Sequence, residues 1–113
     1  MIQQGISQEV YCHRYIYDSE AFHSTILNAW QEALNVTGRG KASVISPKRN
    51  VGESHGVRIT VDGNVVINGR FLSTRENNAY FYGVYDFNVS FQFEHRNIGG
   101  VNEVSVVISY CVN

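Results

Sequence analysis

The last third of the sequence constrains the fold most strongly, because apolar and polar residues alternate there with a period of two. Aromatic and aliphatic residues from Phe81 to Phe93 alternate with polar ones, and this is the period of a half-buried β-strand. A turn around Asn97, Gly99 and Gly100 precedes a second alternating run that ends at Val112. The sequence therefore predicts one long antiparallel hairpin and a core built on a sheet.

The length of the chain indicates how many domains it forms, and its charge limits the kinds of partner that it can bind. A chain of 113 residues is the size of one domain and buries about 65% of its unfolded surface, so we interpret residues 1–113 as a single domain. The formal net charge is −1 at pH 7. This value argues against electrostatic capture of nucleic acid or of an anionic membrane by the whole molecule.

The N-terminal residues and the two cysteines bear on the cellular compartment. No positively charged segment followed by an apolar one opens the chain, and no apolar run approaches the roughly 18 residues of a membrane span. We therefore expect a cytoplasmic protein that is not secreted by a signal peptide. Cys12 and Cys111 would become neighbours if the terminal strands paired, but a reducing compartment predicts two free thiols.

An opening strand and one helix are predicted before the sheet. Residues 9–17 alternate between apolar and polar faces, and Asp18 or Ser19 then provides a helix N-cap. The helix is about 18 residues long, ends near Gly38 and packs an apolar stripe, with its tryptophan, on the sheet. The stripe consists of Phe22, Ile26, Ala29, Trp30 and Ala33.

Residues 38–56 lack periodicity apart from a short piece at 42–45, which predicts a long loop or arm. Residues 57–67 then predict a tight hairpin, because Asp62-Gly63 tolerates the positive φ angles of a type I′ turn. The predicted fold class is α+β, with one helix packed on an antiparallel sheet. Its element order is β-α-β-β-β-β, with the long loop after the helix.

Two groups of residues are candidate interaction sites. The predicted loop carries four of the nine basic residues, and such a mobile basic segment suits contact with an acidic partner or a second chain. Contact with nucleic acid is expected only through this segment. The polar face of the predicted strand has short hydrogen-bonding side chains that suit a wet protein interface. The interaction arm is Arg39, Lys41, Lys48 and Arg49, and the interaction face is Asp86, Asn88, Ser90 and Gln92.

The sequence has no specific catalytic, cofactor or metal motif. Gly38 to Lys41 lack the spacing and the following Ser or Thr of a phosphate-binding loop, and the four histidines lack metal-ligand spacing. Two clusters have residue types that suit acid–base chemistry, namely Glu53 with His55, and Glu94 with His95 and Arg96. We therefore assign no catalytic residue, metal or cofactor.

The layout of the chain resembles two groups of known proteins. A helix before an antiparallel sheet resembles small microbial ribonucleases, and that resemblance implies Glu94 as base, His55 as acid and Arg58 as phosphate ligand. A small α+β domain with a long arm and a terminal hairpin over residues 9–113 resembles head-to-tail connector and tail-completion proteins of tailed phages. This second resemblance implies a virion component in which arms and sheet edges are shared between subunits.

The hypothesis that follows is a non-enzymatic, self-associating assembly protein, present in the cytoplasm or in the assembled virion as a homo-oligomer with other assembly proteins. One alternative is a small inhibitor or immunity-type protein that binds one partner. A further alternative is the ribonuclease-like hydrolase.

Overall fold

The computed structural model describes residues 10–17, 28–46, 55–70, 80–97 and 106–113, and its regular structure in these residues is entirely β-strand. The prediction of an α+β fold is therefore wrong. No helix in these ranges is long and apolar enough to cross a membrane. The strands are β1 (Tyr11–Tyr17), β2 (Gln31–Thr37), β3 (Gly40–Ser46), β4 (His55–Val61), β5 (Asn64–Arg70), β6 (Tyr80–Phe87), β7 (Ser90–Asn97) and β8 (Val106–Val112).

The eight strands form two four-stranded antiparallel sheets. Sheet I has the order β1-β8-β3-β6, and sheet II has the order β2-β7-β4-β5. The pairs β1–β8, β2–β7, β3–β6 and β4–β5 are nested around the turn between β4 and β5. The chain is thus one long hairpin rolled into two sheets, and this arrangement of eight strands is a jelly roll.

The tip of the rolled hairpin is the turn that the sequence predicts. Asp62 and Gly63 have φ angles of 52° and 81°, and they join β4 to β5. Both values lie in the left-handed region that Asp and Gly tolerate better than most residues. The predicted hairpin over residues 57–67 is therefore confirmed, and β1 likewise confirms the opening strand predicted at 9–17.

The core lies between the two sheets. Each sheet buries its inner side chains against the other sheet, as the alternation of a strand requires. Sheet I contributes Ala42, Val44, Phe87, Val106 and Ile108. Sheet II contributes Val36, Val57, Ile59, Phe91 and Phe93.

Residues 31–37 form strand β2, where the sequence predicts the second half of a helix. Val36 is buried and Leu34 packs against the same core, as alternate residues of a strand do. A bulge between Glu32 and Leu34 inserts Ala33 and hides this alternation from the sequence pattern. The earlier part of the predicted stripe, at residues 18–27, lies outside the described residues.

Residues 40–46 form strand β3, where the sequence predicts a loop over 38–56. Strand β3 lies between β8 and β6 in sheet I, and Ala42 and Val44 are fully buried. The loop prediction is wrong over this stretch and over the start of β4, and residues 47–54 lie outside the described residues. Serine and glycine concealed the strand, because they replace the larger residues expected at its other positions.

The strand predicted over residues 81–94 is two strands in different sheets, β6 and β7, which meet at Asn88 and Val89. Strand β7 pairs with β2 and β4, and β8 pairs with β1 and β3, so the predicted β7–β8 hairpin is also wrong. The alternation continues across Asn88 and Val89 because the inner residues of both strands face the same core.

Cys12 and Cys111 form a disulfide, so the prediction of two free thiols is wrong. The two residues are register partners on the antiparallel strands β1 and β8. The bond therefore joins the edge strand β1 to its one neighbour in sheet I.

Candidate functional site

The outer face of sheet II is built from alternate residues of β7 and β4. Phe91, Phe93 and His95 are buried, and between them Gln92, Glu94 and Arg96 direct their polar groups toward the other side of the sheet. Because β7 lies between β2 and β4, this row of polar side chains runs along the middle of the sheet.

Arg58 and Glu94 form a bidentate ion pair on this face. They are register partners on β4 and β7. Arg58 donates from Nε to Oε1 of Glu94 at 2.8 Å and from Nη2 to Oε2 at 2.9 Å. The hydrogen bond to Glu94 raises the pKa of Arg58 above its usual range. Both oxygens of the Glu94 carboxylate are thus engaged by one guanidinium.

Trp30 lies against this ion pair. The guanidinium carbon of Arg58 lies 4.4 Å from the centre of the indole ring, and that of Arg96 lies 4.6 Å from it. A Cβ atom on Gly56 would lie 3.1 Å from the Cη2 atom of Trp30, so glycine leaves room for the ring edge. Trp30, Gly56, Arg58, Glu94 and Arg96 are called the Trp30 cluster below. The sequence predicts that a helix packs Trp30 on the sheet; Trp30 instead precedes strand β2 and lies against Arg58 and Arg96 on the outer face of sheet II.

A second polar group lies farther along the same row. Oε1 of Glu32 accepts hydrogen bonds from Nε2 of Gln92 at 2.8 Å and from Nδ2 of Asn35 at 2.9 Å. By register Glu32 and Arg58 lie on either side of Glu94, and the side chain of Glu32 reaches along the row to Gln92.

Half of the predicted interaction arm meets half of the predicted interaction face. Arg39, Lys41, Asp86 and Asn88 line one open cavity of about 400 Å³ beside Cys111. Nζ of Lys41 lies 3.6 Å from Oδ1 of Asp86, and both side chains are mostly exposed. This cavity joins residues that the sequence assigned to separate sites.

The remaining predicted site residues lie elsewhere. Ser90 and Gln92 belong to β7 in sheet II, whereas Asp86 belongs to β6 in sheet I, so the predicted interaction face is divided between the two sheets. Lys48 and Arg49 lie outside the described residues.

Strand β6 carries an exposed apolar surface. The exposed fractions of Phe81, Val84 and Tyr80 are 56%, 51% and 38%. Within the described residues β6 pairs only with β3, so it is an edge strand of sheet I. By register, Phe81 and Val84 share the outer face of the sheet with Ile45 and Ser43.

The structure brings together only part of the residues that suit acid–base chemistry. Glu94 meets Arg58, but the adjacent His95 is buried on the other side of β7. The side chain of His55 and all of Glu53 lie outside the described part of the chain. In that described part, no group of three or more His, Cys, Asp or Glu residues could hold a metal ion.

Comparisons with known proteins do not assign the chain to a family. No model of a known protein family matches it, and no curated protein matches it significantly.

Proposed function

We propose that this protein is a non-enzymatic, self-associating assembly protein, and that strand β6 is its association surface. The observation that supports this proposal is the exposure of Phe81 and Val84 on an edge strand. Exposed apolar side chains on the edge strand of a sheet favour pairing with another chain, because pairing removes them from water.

A second copy of this chain is the partner we propose for β6. Antiparallel pairing of β6 with β6 around a two-fold axis near Gly83 would bring Phe81 of one copy toward Val84 of the other. The same exposed side chains would thus be covered on both copies. Asp86 is the one charged residue of β6, and it lies near the end of the strand, where it leaves the apolar segment uninterrupted.

We propose the virus particle as the assembly because some viral proteins share this fold. Viral capsid proteins use the jelly roll, and so do lectins and cupins, so this analogy names a class of proteins without assigning residues. The helix-first layout behind the resemblance to phage connectors is not the observed layout. We therefore base the assembly proposal on β6 alone.

The contacts of Glu94 favour assembly over hydrolysis. A general base needs an oxygen that can reach the proton it removes. Arg58 engages both oxygens of Glu94. The ion pair thus acts as a fixed part of the sheet face. If the protein is monomeric, the inhibitor-type alternative becomes the preferred hypothesis.

Sedimentation velocity of the full chain over micromolar concentrations tests the proposal. We expect a concentration-dependent oligomer for the wild type and a monomer for Val84→Lys and Phe81→Glu. The matched control is Val65→Lys, which changes a valine of nearly equal exposure, 52%, on the edge strand β5 of sheet II. A monomeric wild type, or equal dissociation by Val65→Lys and Val84→Lys, would contradict the role of β6.

A further inference from the structure

The charges of the Trp30 cluster do not balance. The cluster holds two guanidinium groups and one carboxylate, and Glu94 directs both of its oxygens to Arg58. Arg96 forms no ion pair with a described residue. Glu32 is the register partner of Glu94 on β2, and its carboxylate accepts hydrogen bonds from Gln92 and Asn35. Among the described residues, Arg96 is therefore the guanidinium of the cluster that lacks an ion pair.

Arg96 also has a hydrogen-bond donor without an acceptor among the described residues. Its Nε atom is buried and donates to none of the described residues. A buried donor without an acceptor is unfavourable, and such a donor often marks the place of a missing ion or ligand. Arg96 as a whole is half-buried, so part of the residue is exposed to solvent.

The indole of Trp30 orients this guanidinium. Stacking on an aromatic ring fixes the plane of the group and leaves its in-plane N–H groups for hydrogen bonding. The planar fork of arginine matches two oxygens of a carboxylate or a phosphate. The guanidinium carbon of Arg96 lies 4.6 Å from the centre of the Trp30 ring, so the indole restricts the plane in which the fork can meet a ligand.

We propose that the Trp30 cluster is an oxyanion-binding site in which Arg96 donates to a carboxylate or phosphate group of the ligand. Arg58 neutralises Glu94 and so removes the nearest repulsive charge. Trp30 and Gly56 set the position of the guanidinium. This site lies in sheet II, away from β6, and it is independent of the proposed self-association.

Fluorescence measures this site directly, because Trp30 is the only tryptophan of the chain. Sodium acetate and methyl phosphate are titrated separately into the full protein, with chloride holding the ionic strength constant. We expect a saturable change in Trp30 emission with at least one of them, and the tighter probe identifies the ligand group. A linear response to both probes, equal to that of chloride, overturns the proposal.

Variants identify the residue that binds. Arg96→Gln is expected to weaken binding by at least tenfold, and Arg96→Lys is expected to weaken it also, because lysine keeps the charge without the planar fork. Arg39→Gln is the matched control, since it removes an exposed arginine beside sheet I. Equal titrations for the wild type and Arg96→Lys would overturn the role of the fork.

Nitrogen-15 NMR gives a second readout of the same atom. The Nε–H signal of Arg96, assigned by its loss in Arg96→Lys, should shift on saturation with the probe, whereas that of Arg39 should not. The titration is repeated with Val84→Lys to separate the two proposals. Binding that persists in this variant supports a site independent of assembly. In the NMR titration, a Nε–H signal of Arg96 that does not shift at saturation overturns the proposal.

Discussion

The carboxylate of Asp62 accepts a hydrogen bond from the backbone N–H of Val89, with 2.7 Å between Oδ1 and N. The same carboxylate accepts from the N–H groups of Asn88 and Ser90. Asp62 belongs to the β4–β5 turn, and the three N–H groups form the corner where the chain passes from β6 to β7. One side chain therefore joins the tip of the rolled hairpin to a sheet-to-sheet crossing.

We expect this contact to make stability depend on pH. The hydrogen bonds from Val89, Asn88 and Ser90 lower the pKa of Asp62 below its ordinary value of 3.8. The stabilisation is thus fully present above that value and is lost as the pH falls through the lowered pKa. Asp62→Asn keeps a residue that tolerates positive φ but removes the charge, so it should unfold at lower denaturant than the wild type at pH 7.

Denaturant unfolding at pH 7, 5 and 3 checks this expectation. The difference between the wild type and Asp62→Asn should be the same at pH 7 and 5 and smaller at pH 3. Asp86→Asn, which removes an exposed carboxylate, is the control. A difference that grows as the pH falls would contradict the assigned contact.

Gly40 should be the least replaceable glycine among those described in the strands. A Cβ atom there would overlap the carbonyl oxygen of Cys111 on β8, and it would also crowd the ring of Phe87. We expect Gly40→Ala to lower the free energy of unfolding by about 2–3 kcal/mol. Gly69→Ala is the matched control, since a Cβ there meets no atom within 4 Å. Equal unfolding midpoints for the two variants would show that β3 and β8 are not so closely paired.

The Cys12–Cys111 disulfide should stabilise the sandwich. It closes a loop of 99 residues in sequence separation, so it restricts the unfolded chain strongly. We expect no titratable thiol in the unreduced, denatured protein. The double variant Cys12→Ser, Cys111→Ser should lose about 2–4 kcal/mol. The wild type in reductant should have the same free energy of unfolding as the double variant. A count of two thiols in unreduced protein would exclude the bond.

The Arg58–Glu94 pair should be energetically coupled, unlike the Lys41–Asp86 pair. The exposed fractions of the Arg58 and Glu94 side chains are 27% and 11%, against 64% and 81% for Lys41 and Asp86. Double-mutant cycles with Arg58→Met and Glu94→Gln should give a coupling of about 1.5–3 kcal/mol. The exposed pair should give about 0.2–1 kcal/mol, and comparable values for both pairs would show that burial does not strengthen the first.

Short sequence patterns predict those elements whose conformation depends on neighbouring residues alone. Asp62 and Gly63 specify their turn through the φ angles they tolerate, and the alternation of β1 was sufficient to predict that strand. The pattern of residues 31–37 indicates a helix because the bulge at Ala33 breaks the period of two. The sequence gives only a weak signal for strand β3 because its buried residues, such as Ala42, are few and small.

The sites depend on pairings that no short segment contains. Arg58 and Glu94 are 36 residues apart in sequence, and the partnership of Trp30 with Arg96 requires β2, β4 and β7 to share a sheet. The available signal in the sequence is that the charged residues of these sites occupy outward-facing positions of alternating strands. The corner at Asn88 left no break in that alternation, so the division between the sheets was invisible in the sequence.

The nested pairing of the strands also implies an order of folding. Strands β4 and β5 meet through a two-residue turn, whereas β1 finds its partner β8 only after the last described strand has been synthesised. Pairings of such high contact order form slowly, because a long loop must close before any contact is gained. We expect the chain to zip outward from Asp62-Gly63, with β8 completing the centre of sheet I and Cys12 meeting Cys111 last. Until that moment β1 has no partner among the described strands, so on a nascent chain it is an open edge that chaperones near the ribosome exit can bind.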